Sequence, residues 1–272
     1  MTFAPAGMTL IEQLGAGGVF DVALVRDGAG KIVVVKRIAS DALGPEAETA
    51  LARERDLLRA ARGAPLPELL DFGTDALGGF LLETRALGSP ARRLLDAPKR
   101  LDAARWLALA RAACDALSTL HDWQDSRGAL RIVHGDVSPD NLFFSEEGQA
   151  TFIDLSSATY RDAPSPAFDG DIGTAPYSAP ELLRVEAQST QETDVYALAA
   201  TLLALAVGPI TKAPAAAARL WEAATTGVRI ERLESRSDLP RAARDALSAA
   251  LKLDPAERLN LAGALAERMS TG

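Results

Sequence analysis

The segment His134-Gly135-Asp136-Val137-Ser138-Pro139-Asp140-Asn141, followed by two short apolar runs that end at Asp154, decides how the rest of the chain is read. Asp136 and Asn141 share one loop, and Asp154 is expected to emerge beside them at the end of the neighbouring strand. Converging Asp, Asn and Asp oxygens suit Mg²⁺, a hard cation that takes few protein oxygens and keeps its other positions for water and phosphate. A single acid in a loop is commonly a turn cap; turn capping does not account for the whole set.

Working back toward the N-terminus, Leu10 to Leu14, Val19 to Val25 and Lys31 to Ile38 are short β-branched runs. Gly15-Ala16-Gly17-Gly18 and Asp27-Gly28-Ala29-Gly30 separate them, which is hairpin chemistry. Gly15, Gly17 and Gly18 also remove the Cβ atoms that would keep backbone N–H groups from phosphate oxygens. Taken alone, such a run is more often just a turn, and no helix follows it, which disfavours a dinucleotide-binding or Walker loop. Val33-Val34-Val35-Lys36 then ends an apolar strand on one of only five lysines in the chain. The plain reading of Lys36 is an edge lysine kept in water, and the functional one is a cation over the same phosphates. From Pro45 to about Arg62 the pattern is helical, with Pro45 in the first turn, Glu46 and Glu48 at the positive end, and Gly63 closing it. Ala47, Leu51, Glu54 and Leu58 are spaced by four, three and four, so Glu54 shares the inward apolar stripe. A carboxylate there is costly unless a cation answers it. Lys36 is that candidate, and Glu48 is the competitor of Glu54 for it.

Leu69 to Phe72 and Phe80 to Glu83 return to strand character and complete a small sheet with one helix. After Gly88 the chain turns Ala- and Leu-rich, with Leu101 to Trp123 the clearest helix. Arg131 to Val133, Leu142 to Phe144 and Thr151 to Ile153 read as short strands, and everything beyond Glu181 as helices. The fold class is therefore α+β, a mostly β lobe followed by a mostly α lobe, with the site in the cleft between them. The 272 residues suffice for such a two-lobed core, and a single cysteine excludes a secreted disulfide scaffold. A balance of 37 acids against 29 bases, formally −8, argues against a general nucleic-acid binder. Met1 to Gly15 has no basic cluster before an apolar run, so no secretory leader is expected. Val195 to Val207, the longest apolar stretch, is shorter than the roughly 20 residues of a membrane span and reads as a buried helix.

With these motifs in this order, the sequence resembles the protein kinase family over nearly all of its length. Gly15, Gly17, Gly18 and Val22 resemble the glycine-rich loop, Lys36 the third-strand lysine and Glu54 its partner on the regulatory helix. His134 to Asn141 resembles the catalytic loop, and Asp154-Leu155-Ser156 stands where the metal-binding triplet belongs. Gly173-Thr174 and Ser178-Ala179-Pro180-Glu181 resemble the end of the activation segment, Thr193 to Leu198 the central buried helix and Asp254 to Arg258 the late arginine motif. The resemblance implies a two-lobed fold, with residues 1–82 as the N-lobe, 83–88 as the hinge and 89–272 as the C-lobe. It implies ATP and Mg²⁺ as cofactors. Lys36 would hold the α- and β-phosphates, Asn141 and Asp154 the metal, and Asp136 would position the acceptor hydroxyl and receive its proton. Glu83 and Arg85 would lie where the hinge backbone binds adenine, with Leu82 as gatekeeper. Glu181 would pair with Arg258, and Asp194 would brace the catalytic loop.

The pattern also departs from the family. Gly135 replaces the arginine that grips an activation-segment phosphate, so activity independent of such a phosphate is expected. Ser138 replaces a lysine that neutralises the transferring group, so slow turnover is expected. Phe20 stands at the third glycine position and Ser156 at the end of the metal triplet. Val34 and Phe143 are bulkier than usual on the two sides of the adenine slot. The leading expectation is an ATP- and Mg²⁺-dependent kinase of the serine/threonine type acting on protein, cytoplasmic, bacterial in codon style, with no nucleic-acid partner and no membrane anchor. Regulation is left to a partner protein, a complex or autophosphorylation. The alternatives are a pseudokinase scaffold and a small-molecule phosphotransferase of the aminoglycoside or choline kinase type, which also uses His-Gly-Asp with a downstream Asn.

Overall fold

Alternating apolar residues build the first layer. A computed structural model of the chain describes residues 3–15, 19–39, 44–163, 174, 176–183, 187–208, 232–259 and 261–270. Strands β1 (Thr9–Gly15), β2 (Phe20–Arg26) and β3 (Ile32–Ile38) precede helix α1 (Pro45–Ala60), and β4 (Leu69–Asp75) and β5 (Gly78–Thr84) follow it. They form one antiparallel sheet in the order β1-β2-β3-β5-β4. Period-two alternation separates its faces. Ala23, Val25, Val33, Val35 and Leu82 cluster on the outer face with Phe3, Ala4 and Met8, while Phe20, Ile38 and Leu81 pack against Ala47, Ala50 and Leu51 of α1.

Gly88 links this lobe to the next at φ +83°, and a Cβ there would collide with the Phe144 carbonyl, so only glycine fits the approach. Beyond it come β6 (Ser89–Pro90), α2 (Arg92–Leu95), α3 (Ala103–His121), the hairpin β7 (Gln124–Asp125) and β8 (Gly128–Ala129), then β9 (Leu142–Phe144) and β10 (Ala150–Phe152). Helices α4 (Gln191–Val207), α5 (Arg241–Ala250) and α6 (Ala262–Ser270) complete the described lobe. Asp102 caps α3 by accepting from the Arg105 N–H, so the helix starts two residues after Leu101, and it stops at His121. Thr190 and Thr193 cap α4 reciprocally. Nearly all of α4 is buried, including Val195 to Val207, as its unbroken apolar run requires. The Trp106 indole on α3 donates to the Leu202 carbonyl of α4 at 2.9 Å.

One expected strand is absent. Arg131 to Val133 makes only an isolated bridge, Val133 with Thr159, because Arg131 adopts φ 55° and turns the chain out of extended pairing. The polar loop that follows is thereby carried to the mouth of the cleft.

Candidate active site

The five-stranded sheet fixes where the lysine points. In the β2–β3–β5 register Val22 faces Lys36, Lys36 faces Leu81 and Val34 faces Glu83, so all of these lie on the face that carries α1. Lys36 is 4% exposed, and its ammonium donates to Glu54 Oε2 at 2.7 Å and to Asp154 Oδ1 at 2.7 Å. Glu54, not Glu48, answers it from the buried stripe of α1. The Phe20 ring sits 4.8 Å from the same ammonium. Burial alone would lower the Lys36 ammonium, but Asp154 and Glu54 reverse this and raise it above the ordinary lysine value. Burial would raise Asp154; the Lys36 charge and hydrogen bond, with Ser156, outweigh it and bring the carboxyl down to about 2. Burial pushes the Glu54 carboxyl up against the opposing pull of Lys36.

Asp154 has φ 62° and a side chain 40% exposed, so it hands one oxygen to Lys36 and leaves the other facing the cleft. The Asn141 carbonyl accepts from the Ile153 N–H at 2.9 Å and ties the catalytic loop to the strand end beside it. The Asn141 side-chain amide donates to Asp136 Oδ2 at 2.7 Å and to the Asp136 carbonyl at 3.0 Å, which leaves its own amide oxygen for the cleft. Thr174 completes the surroundings of Asp136: its N–H donates to Oδ1 at 2.5 Å and its hydroxyl to Oδ2 at 3.1 Å. Burial raises the Asp136 carboxyl, against the downward pull of Thr174. Beneath the loop, Asp194 on α4 accepts from the N–H groups of His134 at 2.7 Å and Gly135 at 2.9 Å, and lies 3.0 Å from His121 Nε2. His134 Nδ1 faces the Asp136 N–H at 3.3 Å and Nε2 the Ile153 carbonyl at 3.1 Å, so the ring is the Nε2–H tautomer.

This geometry coincides with a sequence match. A family model described as the protein kinase domain matches residues 8–269. The chain belongs to the protein kinase family. It is 28% identical over 197 residues to the serine/threonine-protein kinase PknD of Mycobacterium tuberculosis, covering 71% of this chain and 28% of that one. It is 26% identical over 203 residues to the serine/threonine-protein kinase AfsK of Streptomyces griseus, covering 73% and 24%. Against the probable serine/threonine-protein kinase PkwA of Thermomonospora curvata the figures are 28% over 201 residues, 73% and 26%. The chain thus aligns with roughly a quarter of the length of each of these relatives.

Several sequence expectations for this chain are redrawn by the structure. Leu82 does not line the cleft: it joins Val33 and Val35 on the outer face, because the register pairs it with Val35. Glu83, one residue on, takes the inward position, with 8% of its surface exposed. The Arg85 side chain is exposed and borders an outer groove with Lys31, Glu146 and Glu147. Val34 is buried on the inner face, and half-buried Phe143 points away from the core that takes its neighbours Leu142 and Phe144. Gly15 ends β1, while Gly17, Gly18 and Gly173 lie outside the described residues. Gly135 has φ +81°, and a Cβ there would collide with the Ser157 carbonyl, so the missing arginine is linked to a close turn beneath it. Ser138 is fully buried, and its hydroxyl has no partner among the described residues. Arg258 forms the expected pair with Glu181, at 2.6 and 2.9 Å.

Sequence reasoning missed Arg53. Its guanidinium donates to the Ala158 and Ala163 carbonyls at 3.2 and 3.3 Å, and the Tyr160 hydroxyl donates back to the Arg53 carbonyl at 3.4 Å. Helix α1 is thereby fastened to the segment after Asp154 through backbone carbonyls. Its place next to Glu54 was the only available signal.

Proposed function

We propose that the chain transfers the γ-phosphoryl group of ATP, as its Mg²⁺ complex, to serine or threonine hydroxyls of a protein. The observation that supports this best is the Lys36 ammonium held between Glu54 and Asp154, above a loop on which Asp136 is fixed by Asn141 and Thr174. Lys36 would bind the α- and β-phosphate oxygens, exchanging part of its Asp154 contact for them. The oxygens of Asn141 and Asp154 form the hard donor pair that suits Mg²⁺, with the remaining positions taken by phosphate and water. When bound, the metal neutralises charge on the phosphate oxygens.

Asp136 accepts the acceptor hydroxyl's hydrogen bond. As the oxygen attacks phosphorus and the bond to the β–γ bridging oxygen breaks, the proton passes to the Asp136 carboxylate and ADP departs. Burial that raises this carboxyl makes it the better proton acceptor. Thr174 holds it in place, and no phosphate on the activation segment is needed for that, consistent with Gly135. With Ser138 buried in place of a lysine, one cation is missing at the transferring group, and turnover is slow. The protein substrate and a regulatory partner are met in the cytoplasm, where ATP and Mg²⁺ are supplied; no helix among the described residues is long and apolar enough to cross a membrane.

Incubation of the purified chain with labelled ATP and Mg²⁺, a generic protein acceptor and a panel of amino-alcohols tests this, with Asp154→Ala alongside. Label on protein that disappears in the variant is the expected result. Label on the amino-alcohols would make it a small-molecule phosphotransferase, and no label on any acceptor a pseudokinase.

A further inference from the structure

The stretch that follows Asp154 is fastened by charged groups that the reaction above does not use. Hairpin β7–β8 stands between α3 and the catalytic loop. Asp125 in it accepts from the Arg161 guanidinium at 2.6 Å, and the same guanidinium donates to the Gly128 and Ala129 carbonyls at 3.1 and 3.0 Å. Arg127 of the hairpin pairs in turn with Asp162. Acid and base of the hairpin thus answer base and acid of the stretch. An exposed ion pair contributes little by itself. Here the Asp125 and Arg161 side chains are only 17% and 24% exposed, and Arg161 spreads its planar donors over a carboxylate and backbone carbonyls at once, whereas the Arg127 side chain is 61% exposed.

The far side of the same stretch belongs to α1. Arg53 donates to the Ala158 and Ala163 carbonyls, and its neighbour Glu54 accepts from the Leu155 N–H at 3.4 Å with one oxygen while the other takes the Lys36 ammonium. Thr159 exchanges both backbone hydrogen bonds with Val133 at 2.9 Å, and the Arg161 N–H donates to the Leu130 carbonyl at 2.7 Å, so hairpin and stretch move as one body. Among the described residues no hydrogen bond or ion pair joins the hairpin to α1 directly. Whatever the hairpin does to α1 by polar contact passes through residues 155–163.

We propose that Asp125 and Arg161 are positioning residues: the β7–β8 hairpin fixes the stretch after Asp154, and through Arg53 that stretch sets α1 where Glu54 meets Lys36. This rests on the phosphotransfer reading above and adds to it the contacts that hold its ion cluster in register. Gly135 offers no cation to an activation-segment phosphate, and the hairpin supplies a covalently encoded fastening instead. Coupling carried by such a chain of contacts is worth roughly 5- to 150-fold in the equilibrium it biases.

Amide hydrogen exchange of the full chain tests this with Asp125→Ala, Arg161→Ala and Arg53→Met. Each alanine variant should speed exchange in residues 155–163 and in α1 by roughly fivefold or more, with the amides of α4 unchanged. Adding Asp125→Ala to Arg53→Met should speed α1 no further than Arg53→Met alone, because the route to α1 is already cut. In turnover assays the alanine variants should raise the KM for ATP by about the same factor and leave the KM for the protein acceptor as it was. Exchange in α1 at the wild-type rate in both alanine variants, a fully additive double variant, or loosening of α4 equal to that of α1 would each overturn the proposal. The expected exchange pattern in a chain that transfers no phosphate would overturn the phosphotransfer reading and leave the hairpin-to-α1 coupling standing.

Discussion

Asp154 and Asp136 are carboxylates of one cleft, the first reaching up to Lys36 and the second lying in the loop below, and their surroundings push them in opposite directions. Asp154 meets a buried ammonium and is held down to about 2; Asp136 meets an amide, a hydroxyl and a backbone N–H, and burial raises it. Divergence of this kind separates a group that must stay charged from one that must change charge. The upper wall is an ion cluster whose positive charge is already in place, suited to a polyanion. The lower wall has lost two cations of the family pattern, at Gly135 and Ser138, and among the described residues its carboxylate is hydrogen-bonded by Asn141 and Thr174. On the proposed function, gripping would thus rest on charge and transfer on hydrogen-bonding dipoles.

The largest way to break this contrast is on the lower wall. Asp136→Asn keeps shape and the contact with Thr174 but cannot take the proton, so phosphate transfer should fall by about 10²–10⁴-fold with little change in melting temperature. Turnover within a few-fold of wild type would remove Asp136 from its role. On the upper wall the effect should appear in stability as well as rate. Lys36→Met leaves Glu54 buried without its cation, and removing one partner of a buried pair costs about 3–5 kcal/mol. Denaturant titration should show that loss, and Lys36→Met with Glu54→Leu together should recover much of it. A double variant no more stable than the single one would show that the pair is not what burial penalises.

Thr174 sharpens the comparison. Thr174→Val removes the hydroxyl donor to Asp136 while keeping the N–H, and a hydrogen bond to a charged group is worth about 1.5–3 kcal/mol. Turnover should drop by roughly 10- to 150-fold, equally in phosphatase-treated and untreated enzyme. If phosphatase alone slowed the wild type a hundredfold, the activation segment would depend on a phosphate after all.

How far these walls were legible in advance depends on what each residue had to signal. Lys36 and Glu54 announced themselves, one as a lysine ending an apolar strand, the other as a charge on an apolar helical stripe. Asp136, Asn141 and Asp154 were fixed by spacing around two short strands. Leu82 was placed inward one residue too early, because Phe80 to Leu82 reads as a continuous apolar run and only the pairing with β3 tells which of its residues face inward. A slip of one position exchanges the faces of a strand. Arg53 carried no pattern, since its partners are backbone carbonyls far along the chain that any sequence could supply. Arg131 was read as strand from its apolar neighbours, and its left-handed conformation is set by the loop it begins.

The inward residue of β5 gives the smallest effect, in a comparison of Glu83 with Asp154. A carboxyl at about 8 in the folded chain and about 4.3 when unfolded keeps its proton on folding between those values. The stability this contributes is fully present below about pH 4 and is lost as pH rises through 8, with a slope of at most about 1.4 kcal/mol per pH unit. Asp154 has the opposite sign, because its depressed value makes stability fall only as pH drops from about 4 toward 2. Between pH 5 and 8 Asp154 is therefore silent, whereas Glu83 is active. Glu83→Gln has nothing to titrate, so its stability should decline less than that of wild type over this window, while both lose stability together below pH 4. Asp136 is raised as well but is present in both proteins, whereas Glu54 is coupled to Glu83, and losing the Glu83 charge eases its titration in the same direction, flattening the variant's curve further. Parallel stability curves from pH 5 to 8 would mean that Glu83 is as well hydrated in the folded chain as in the unfolded one, and the inward face of β5 would then hold no desolvated carboxyl.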